Sequence, residues 1–168
     1  MDSFVWDKWV RFTHWSVALL FIINYAITKA GSEIHQWVGY AVGVLVLSRL
    51  IWGLLVHSPA RLTNFLPSIP QAIQHIKQVI DERKDEHTGH NPAGAIMIWL
   101  LWSGLLALAV SGALMENWYA APYWLEDFHE TVANLTFFAA LIHVSAVILM
   151  TKITGRSYLK SMKPIIKK

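Results

Sequence analysis

The chain of 168 residues contains no cysteine. That excludes disulfides, thiolate-held iron–sulfur clusters and haem attached through thioether bonds. Charge is also scarce. Asp, Glu, Lys and Arg make up 15% of the residues against 55% hydrophobic ones, and the mean hydropathy is +0.40. A soluble domain carries about 25% charged residues, so this balance points to a chain that lives in a bilayer. Internal repeats at solenoid spacing and low-complexity tracts are missing too. A single domain over residues 1–168 is expected.

What is present is four apolar stretches, each near the roughly 20 residues that a bilayer crossing needs. They run over about 12–28, 34–56, 93–115 and 128–150. The first sits where a signal peptide would, but Asp2 and Asp7 precede it and His14 and Trp15 lie at its start, so a retained helix is expected. Twelve of the 14 basic residues fall before the first stretch, between the second and third, or after the fourth. Of the other two, Lys29 lies on the opposite side and Arg49 inside the second stretch. The positive-inside rule then places both termini and the long loop in the cytoplasm. The net charge of +3 is therefore a topology signal, and no nucleic-acid partner is expected.

The opposite side is acidic and aromatic. Trp118, Tyr119, Tyr123 and Trp124 suit an interfacial belt. Glu116, Glu126, Asp127 and Glu130 form either a docking rim for a basic periplasmic partner or an ordinary solvated loop. In the loop from His57 to Pro92, Pro67 and Pro70 open a helix expected over about 71–84. Its apolar positions Ile73, Ile76 and Ile80, with Ala72 and Val79, describe an amphipathic helix lying on the membrane surface against lipid. The expected fold is all-α, an integral membrane four-helix bundle with that short surface helix between its second and third members.

Eight histidines remain to be sorted. His129 and His143 stand on one stretch, fourteen residues apart. On a helix they share a face, about 40° short of four full turns, and lie roughly 21 Å apart along the axis. Ala133, Thr136 and Ala140, all small, lie between them on that face. By depth, His35 pairs with His129 at the periplasmic level and His14 with His143 at the cytoplasmic level. Singly, each is more often a polar interfacial residue than a ligand. Two pairs at two depths, each from two helices, are what two bis-histidine haems require. A zinc or copper site would instead gather three or four ligands at one depth. Arg49, fourteen residues after His35, shares the His14–His143 level, where a buried cation needs an anion such as a haem propionate or a quinone oxygen. The other reading is snorkelling to the surface. Gly39 and Gly53 flank the same stripe and would admit a flat macrocycle. His57, His75 and His87 are expected on a solvated surface. His90 stands at the start of the third span, as a capping or loop histidine or as a hydrogen-bond partner that exchanges a proton with a quinone carbonyl.

Four motifs extend this reading: VWDKWVRFTHW at 5–15, IHQWVGYAVGVLVLSRLIWG at 34–53, GHNPAGAIM at 89–97 and HETVANLTFFAALIH at 129–143. With them the chain resembles the prokaryotic cytochrome b561 group and the cytochrome b subunits of hydrogenases and formate dehydrogenases. The resemblance implies two haem b groups, with His14, His35, His129 and His143 as axial ligands in the same pairs. It also implies exchange with the quinone pool near the cytoplasmic haem, at a site that would take in His90, Asn91 and Gly94. The expected protein sits in the bacterial inner membrane. It passes electrons between quinone and a periplasmic c-type cytochrome or a dehydrogenase- or hydrogenase-like subunit, and a homodimer is allowed. Two other functions stay open: a free-standing superoxide:quinone oxidoreductase and a haem-free membrane anchor. Many subunits of the hydrogenase type carry an extra span or a soluble domain; neither is expected here, and the outer loop between the third and fourth spans is expected to be short.

Overall fold

The computed structural model describes residues 5–85, 87 and 89–163. Asp2, Lys167 and Lys168, which entered the charge argument, lie outside them. Six α-helices are present among the described residues and no strand: α1 (Lys8–Ala26), α2 (Glu33–Leu55), α3 (Ile69–Glu82), α4 (Pro92–Asn117), α5 (Trp124–Thr154) and α6 (Tyr158–Ser161). A 3₁₀ turn, Leu62–Asn64, precedes α3.

Local chemistry sets the helix ends. Asp7 accepts a hydrogen bond from the Val10 amide at 2.8 Å, so α1 begins four residues before the expected boundary. Ser32 caps α2 through the His35 amide at 3.3 Å, with Glu33 in the first turn facing the positive end of the helix. Asn91 caps α4 through the Gly94 amide at 2.7 Å, and Pro92 opens the first turn. Gly155, at φ 68°, supplies the left-handed residue that stops α5.

Helix α1 packs along α2, α2 on α4, and α4 on α5. Helix α5 returns against α1, where the Tyr25 and Phe137 rings stack at 4.5 Å and the Tyr25 hydroxyl donates to Asn134 Oδ1 at 2.7 Å. Phe21, Val42, Val46 and Leu105 form the central core. The core is thin, and the outer faces stay apolar: Ile27 is 74% exposed and Leu55 73%. Where so much apolar surface faces outward, lipid is the medium that covers it. Close approach depends on small residues. A Cβ on Gly43 would lie 3.0 Å from Ala109 Cβ, and one on Gly104 would collide with Thr136 Oγ1.

Helices α2, α4 and α5 are long and apolar enough to cross a membrane. Helix α1, expected as a fourth span, does not reach that level. Lys8, Arg11, His14 and Asn24 lower its hydropathy although it packs along α2.

Both described chain ends lie at one end of the molecule, called here the near end. The Trp6 amide donates to Ser161 O at 3.1 Å, Arg11 Nη1 to Lys163 O at 2.7 Å and Trp15 Nε1 to Met162 O at 2.6 Å. The α3–α4 loop joins them, because Arg156 Nη1 donates to the carbonyls of Asp85 and His87 at 3.2 and 2.5 Å. At the far end, Gln36 Nε2 donates to Glu116 Oε2 at 2.7 Å.

Helix α3 corrects two expectations. Its apolar residues do not form one stripe. Ala72, His75 and Val79 are buried toward the protein, while Ile69, Ile73, Ile76 and Ile80 form a separate exposed row. His75, expected on a solvated surface, is 4% exposed, because it shares the inner register with Ala72 and Val79. His57 and His87 are exposed as expected.

Candidate haem sites

Two histidine pairs face each other across the interior. The rings of His14 on α1 and His143 on α5 have their centres 6.3 Å apart, and those of His35 on α2 and His129 on α5 are 6.2 Å apart. This spacing allows ring-edge contact and is wider than that of a hydrogen-bonded pair. An N–H···N hydrogen bond of about 2.9 Å would bring the ring centres to roughly 5.1 Å. Two imidazoles aligned on opposite sides of one metal would show the same separation as these pairs. Two metal–nitrogen bonds of about 2.0–2.1 Å and roughly 1.1 Å from each nitrogen to its ring centre sum to about 6.3 Å.

Hydroxyl groups fix the far-end imidazoles. Ser111 Oγ lies 3.2 Å from Leu108 O, to which it can donate, and 2.8 Å from His129 Nδ1, from which it accepts when that nitrogen carries the hydrogen. Thr28 Oγ1 lies 2.8 Å from Asn24 O and 2.9 Å from Asn24 Oδ1, with His35 Nδ1 at 3.1 Å. With its proton on an Asn24 oxygen, the hydroxyl accepts from His35 Nδ1–H. In the tautomer with hydrogen on Nδ1, both imidazoles have these acceptors and the Nε2 lone pair is free. A metal-bound histidine is oriented in this way, its second nitrogen donating to an outer partner. Thr28 and Ser111 escape sequence reasoning, since neither has a pattern of its own. The detectable signal is a hydroxyl seven residues before a candidate ligand for Thr28, and nothing local for Ser111.

The near-end site has another character. His14 Nδ1, Trp9 Nε1, Trp52 Nε1 and Arg49 Nη1 are buried without a hydrogen-bond partner. Arg49 does not snorkel. It is 5% exposed, Nη2 donates to Ala60 O at 3.0 Å, and the guanidinium lies 5.4 Å from the centre of the Trp102 ring. Unsatisfied buried donors are costly, and those of Arg49 and of Trp9 and Trp52, whose rings lie 6.3 Å apart, are of the type that the carboxylates of a macrocycle would satisfy. Gly53 does not open space for a flat ring as expected. A Cβ there would lie 2.8 Å from both Arg49 Nη1 and Leu62 Cγ, so the missing side chain makes room for the arginine. A Cβ at Gly39 would meet only Asn24 Nδ2, at 3.7 Å. On α5, Thr136 is turned against Gly104 of α4, so the small stripe between the two histidines also serves helix packing.

His90 sits between Trp6, stacked at 4.2 Å, and Phe65, at 4.4 Å. Burial first, and then the positive charge of Arg49, push its imidazole down to about 3. It is therefore neutral at physiological pH, with one nitrogen donating and one accepting. Asn91 and Gly94 have a structural use. Asn91 Oδ1 caps α4 on the Gly94 amide at 2.7 Å, and its Nδ2 donates to Asp85 Oδ2 at 2.8 Å. A Cβ on Gly94 would crowd that Oδ1 at 3.0 Å.

Comparison with curated proteins finds none that matches, and comparison with solved structures finds none either. A sequence model of prokaryotic cytochrome b561 matches residues 5–164, which include all four paired histidines. The chain therefore belongs to the prokaryotic cytochrome b561 family, membrane cytochromes that hold haem b and carry electrons.

Proposed function

We propose that the protein is a four-helix, di-haem membrane cytochrome that passes electrons between the quinone pool and a redox partner on the periplasmic side. The observation that carries this reading is the pair of imidazole separations, 6.3 and 6.2 Å, at two depths. Helix α1 would complete the bundle as its fourth span, with the near end in the cytoplasm. His14 and His143 would hold the inner haem and His35 and His129 the outer one. Haem held by these histidines would supply one-electron transfer.

The chain's own residues divide the remaining work. Thr28 and Ser111 hold the outer imidazoles in the Nε2-ligating tautomer. Arg49 Nη1, with Trp9 and Trp52, supplies donors to the propionate end of the inner site. The neutral imidazole of His90 hydrogen-bonds a quinone oxygen, and Asn91 and Gly94 shape that position through the α4 cap. Tyr25 and Phe137, stacked at 4.5 Å, join α1 to α5. Glu116, Glu126, Asp127 and Glu130 are exposed at the far end, where a basic partner would meet carboxylates of opposite charge. The exposed row Ile69, Ile73, Ile76 and Ile80 would rest α3 on lipid at the cytoplasmic surface.

The test is a reduced-minus-oxidised spectrum of the purified protein with haem counted per chain. Two low-spin b-type haems are expected, and His143→Ala should lose one and keep the other. If that variant retains both, the ligand assignment fails.

A further inference from the structure

Away from the paired histidines, three side chains converge at the near end: His75 on α3, and Asp85 and His87 in the α3–α4 loop. One ligand atom from each lies within 4.8 Å of the other two. His75 Nε2 is 3.4 Å from Asp85 Oδ1, and His87 Nδ1 is 3.0 Å from the same oxygen. Ligand atoms of a tetrahedral site with bonds of about 2.0–2.1 Å stand about 3.3–3.4 Å apart.

Two further observations point to a missing ligand. The His75 side chain is 3% exposed and has no hydrogen-bond partner at either ring nitrogen, for its approach to Asp85 is not aligned as a hydrogen bond. The Asp85 carboxylate is 1% exposed and pairs with no Lys or Arg among the described residues. A buried carboxylate needs a compensating charge.

The outer partners are also in place. Tyr158 donates to Asp85 Oδ2 at 2.5 Å and Asn91 Nδ2 donates to it at 2.8 Å, which turns Oδ1 toward the two histidines. Arg156 holds the carbonyls of both loop ligands. Carboxylate ligands are normally oriented by such bonds.

We propose that His75, Asp85 and His87 bind one divalent transition-metal ion of the zinc class, with water in the fourth position on the exposed His87 side. Two imidazoles and a carboxylate suit zinc or its neighbours and do not suit calcium or magnesium, which take oxygen donors. The ion ties α3 to the loop before α4 and, through Tyr158, to the segment after α5. It is a structural clip on the side of the molecule that carries His90, and it stands independently of the haem assignment.

The experiment uses the haem-loaded full chain without a polyhistidine tag, treated with EDTA, freed of chelator, and titrated with zinc sulfate against a chromogenic chelator. One zinc per chain at micromolar affinity or tighter is expected. His87→Gln, on the exposed ligand, should weaken it at least tenfold at unchanged haem content, as should His75→Gln. Tyr158→Phe should weaken it roughly tenfold while keeping all three ligands. Cobalt in place of zinc should give the visible bands of a four-coordinate site, and these should vanish in His87→Gln. Wild-type protein that binds no zinc below about 100 μM, or affinity unchanged in both histidine variants, overturns the proposal. If His75→Gln loses haem as well, the His87→Gln result decides.

Discussion

At the residue scale, one hydroxyl proton decides which histidine nitrogen is free. Ser111 Oγ, which can donate to Leu108 O, accepts from His129 Nδ1 when that nitrogen carries the hydrogen. With iron on Nε2, that hydrogen bond would make the imidazole a better donor and favour the ferric state. Ser111→Ala should therefore keep the haem and raise the midpoint potential of the outer site. A rise of roughly 30–60 mV is expected, a tenfold change in a one-electron equilibrium being about 59 mV. Redox titration followed optically checks it, and an unchanged or lower potential would remove the serine from this role. His90 makes a second test. Its folded-state value of about 3 lies below the ordinary 6.5. Between those values the folded protein binds fewer protons than the unfolded chain, and stability falls as pH drops below about 6.5. The charged or titratable groups that bear on it are Arg49, His143 and His14. Holoprotein should lose up to roughly 3–6 °C of Tm per pH unit from pH 6.5 to 5, at about 1.4 kcal/mol per unit as the upper limit. His90→Gln should flatten that slope.

At the scale of elements, the contact between α4 and α5 turns on Gly104. A Cβ there collides with Thr136 Oγ1, and Thr136 is buried and β-branched, which restricts how its side chain can retreat. Gly104→Ala should cost about 1–3 kcal/mol through overpacking. Adding Thr136→Ala should return part of that loss, because the two changes share one contact. Thermal melts of the four holoproteins check the cycle, and strictly additive losses would show that the collision relaxes elsewhere. Elements were the most legible level of the sequence. Apolar length alone located α2, α4 and α5, and helical spacing located α3. The start of α1 was missed because Asp7 reads as charge in front of a span, when it is the cap. The two faces of α3 were merged because Ile73, Ile76 and Ile80 dominate the hydrophobic count. Yet Ala72, His75 and Val79 recur at i, i+3 and i+7, the spacing that would have marked His75 as buried. The partners of His75 were out of reach, since Asp85 is ordered by Tyr158, 73 residues away.

At the scale of the molecule, depth along straight helices brought His14 to His143 and His35 to His129 in the sequence reading, and the same pairs meet in space. Helix geometry makes that possible, because rise per residue converts position into depth with little freedom. The same conversion sorts the basic residues, and the structure adds the hydrogen bonds that gather Trp6, Arg11, Arg156 and the α3–α4 loop at one end. If that end is cytoplasmic, Lys84 and Lys160, both exposed, lie inside, and Tyr119, fully exposed between α4 and α5, lies outside. The absence of cysteine makes the question simple to put, since any introduced thiol is the only one. In spheroplasts, a membrane-impermeant maleimide should label Tyr119→Cys at once. It should reach Lys84→Cys and Lys160→Cys only after the membrane is opened. Labelling of all three from one side would mean that the number of crossings between them is even, and α4 could not then stand alone between the loop and the acidic rim. The reverse pattern would place the acidic rim in the cytoplasm and His90 outside, and would exchange the sides from which quinone and the redox partner approach the two histidine pairs.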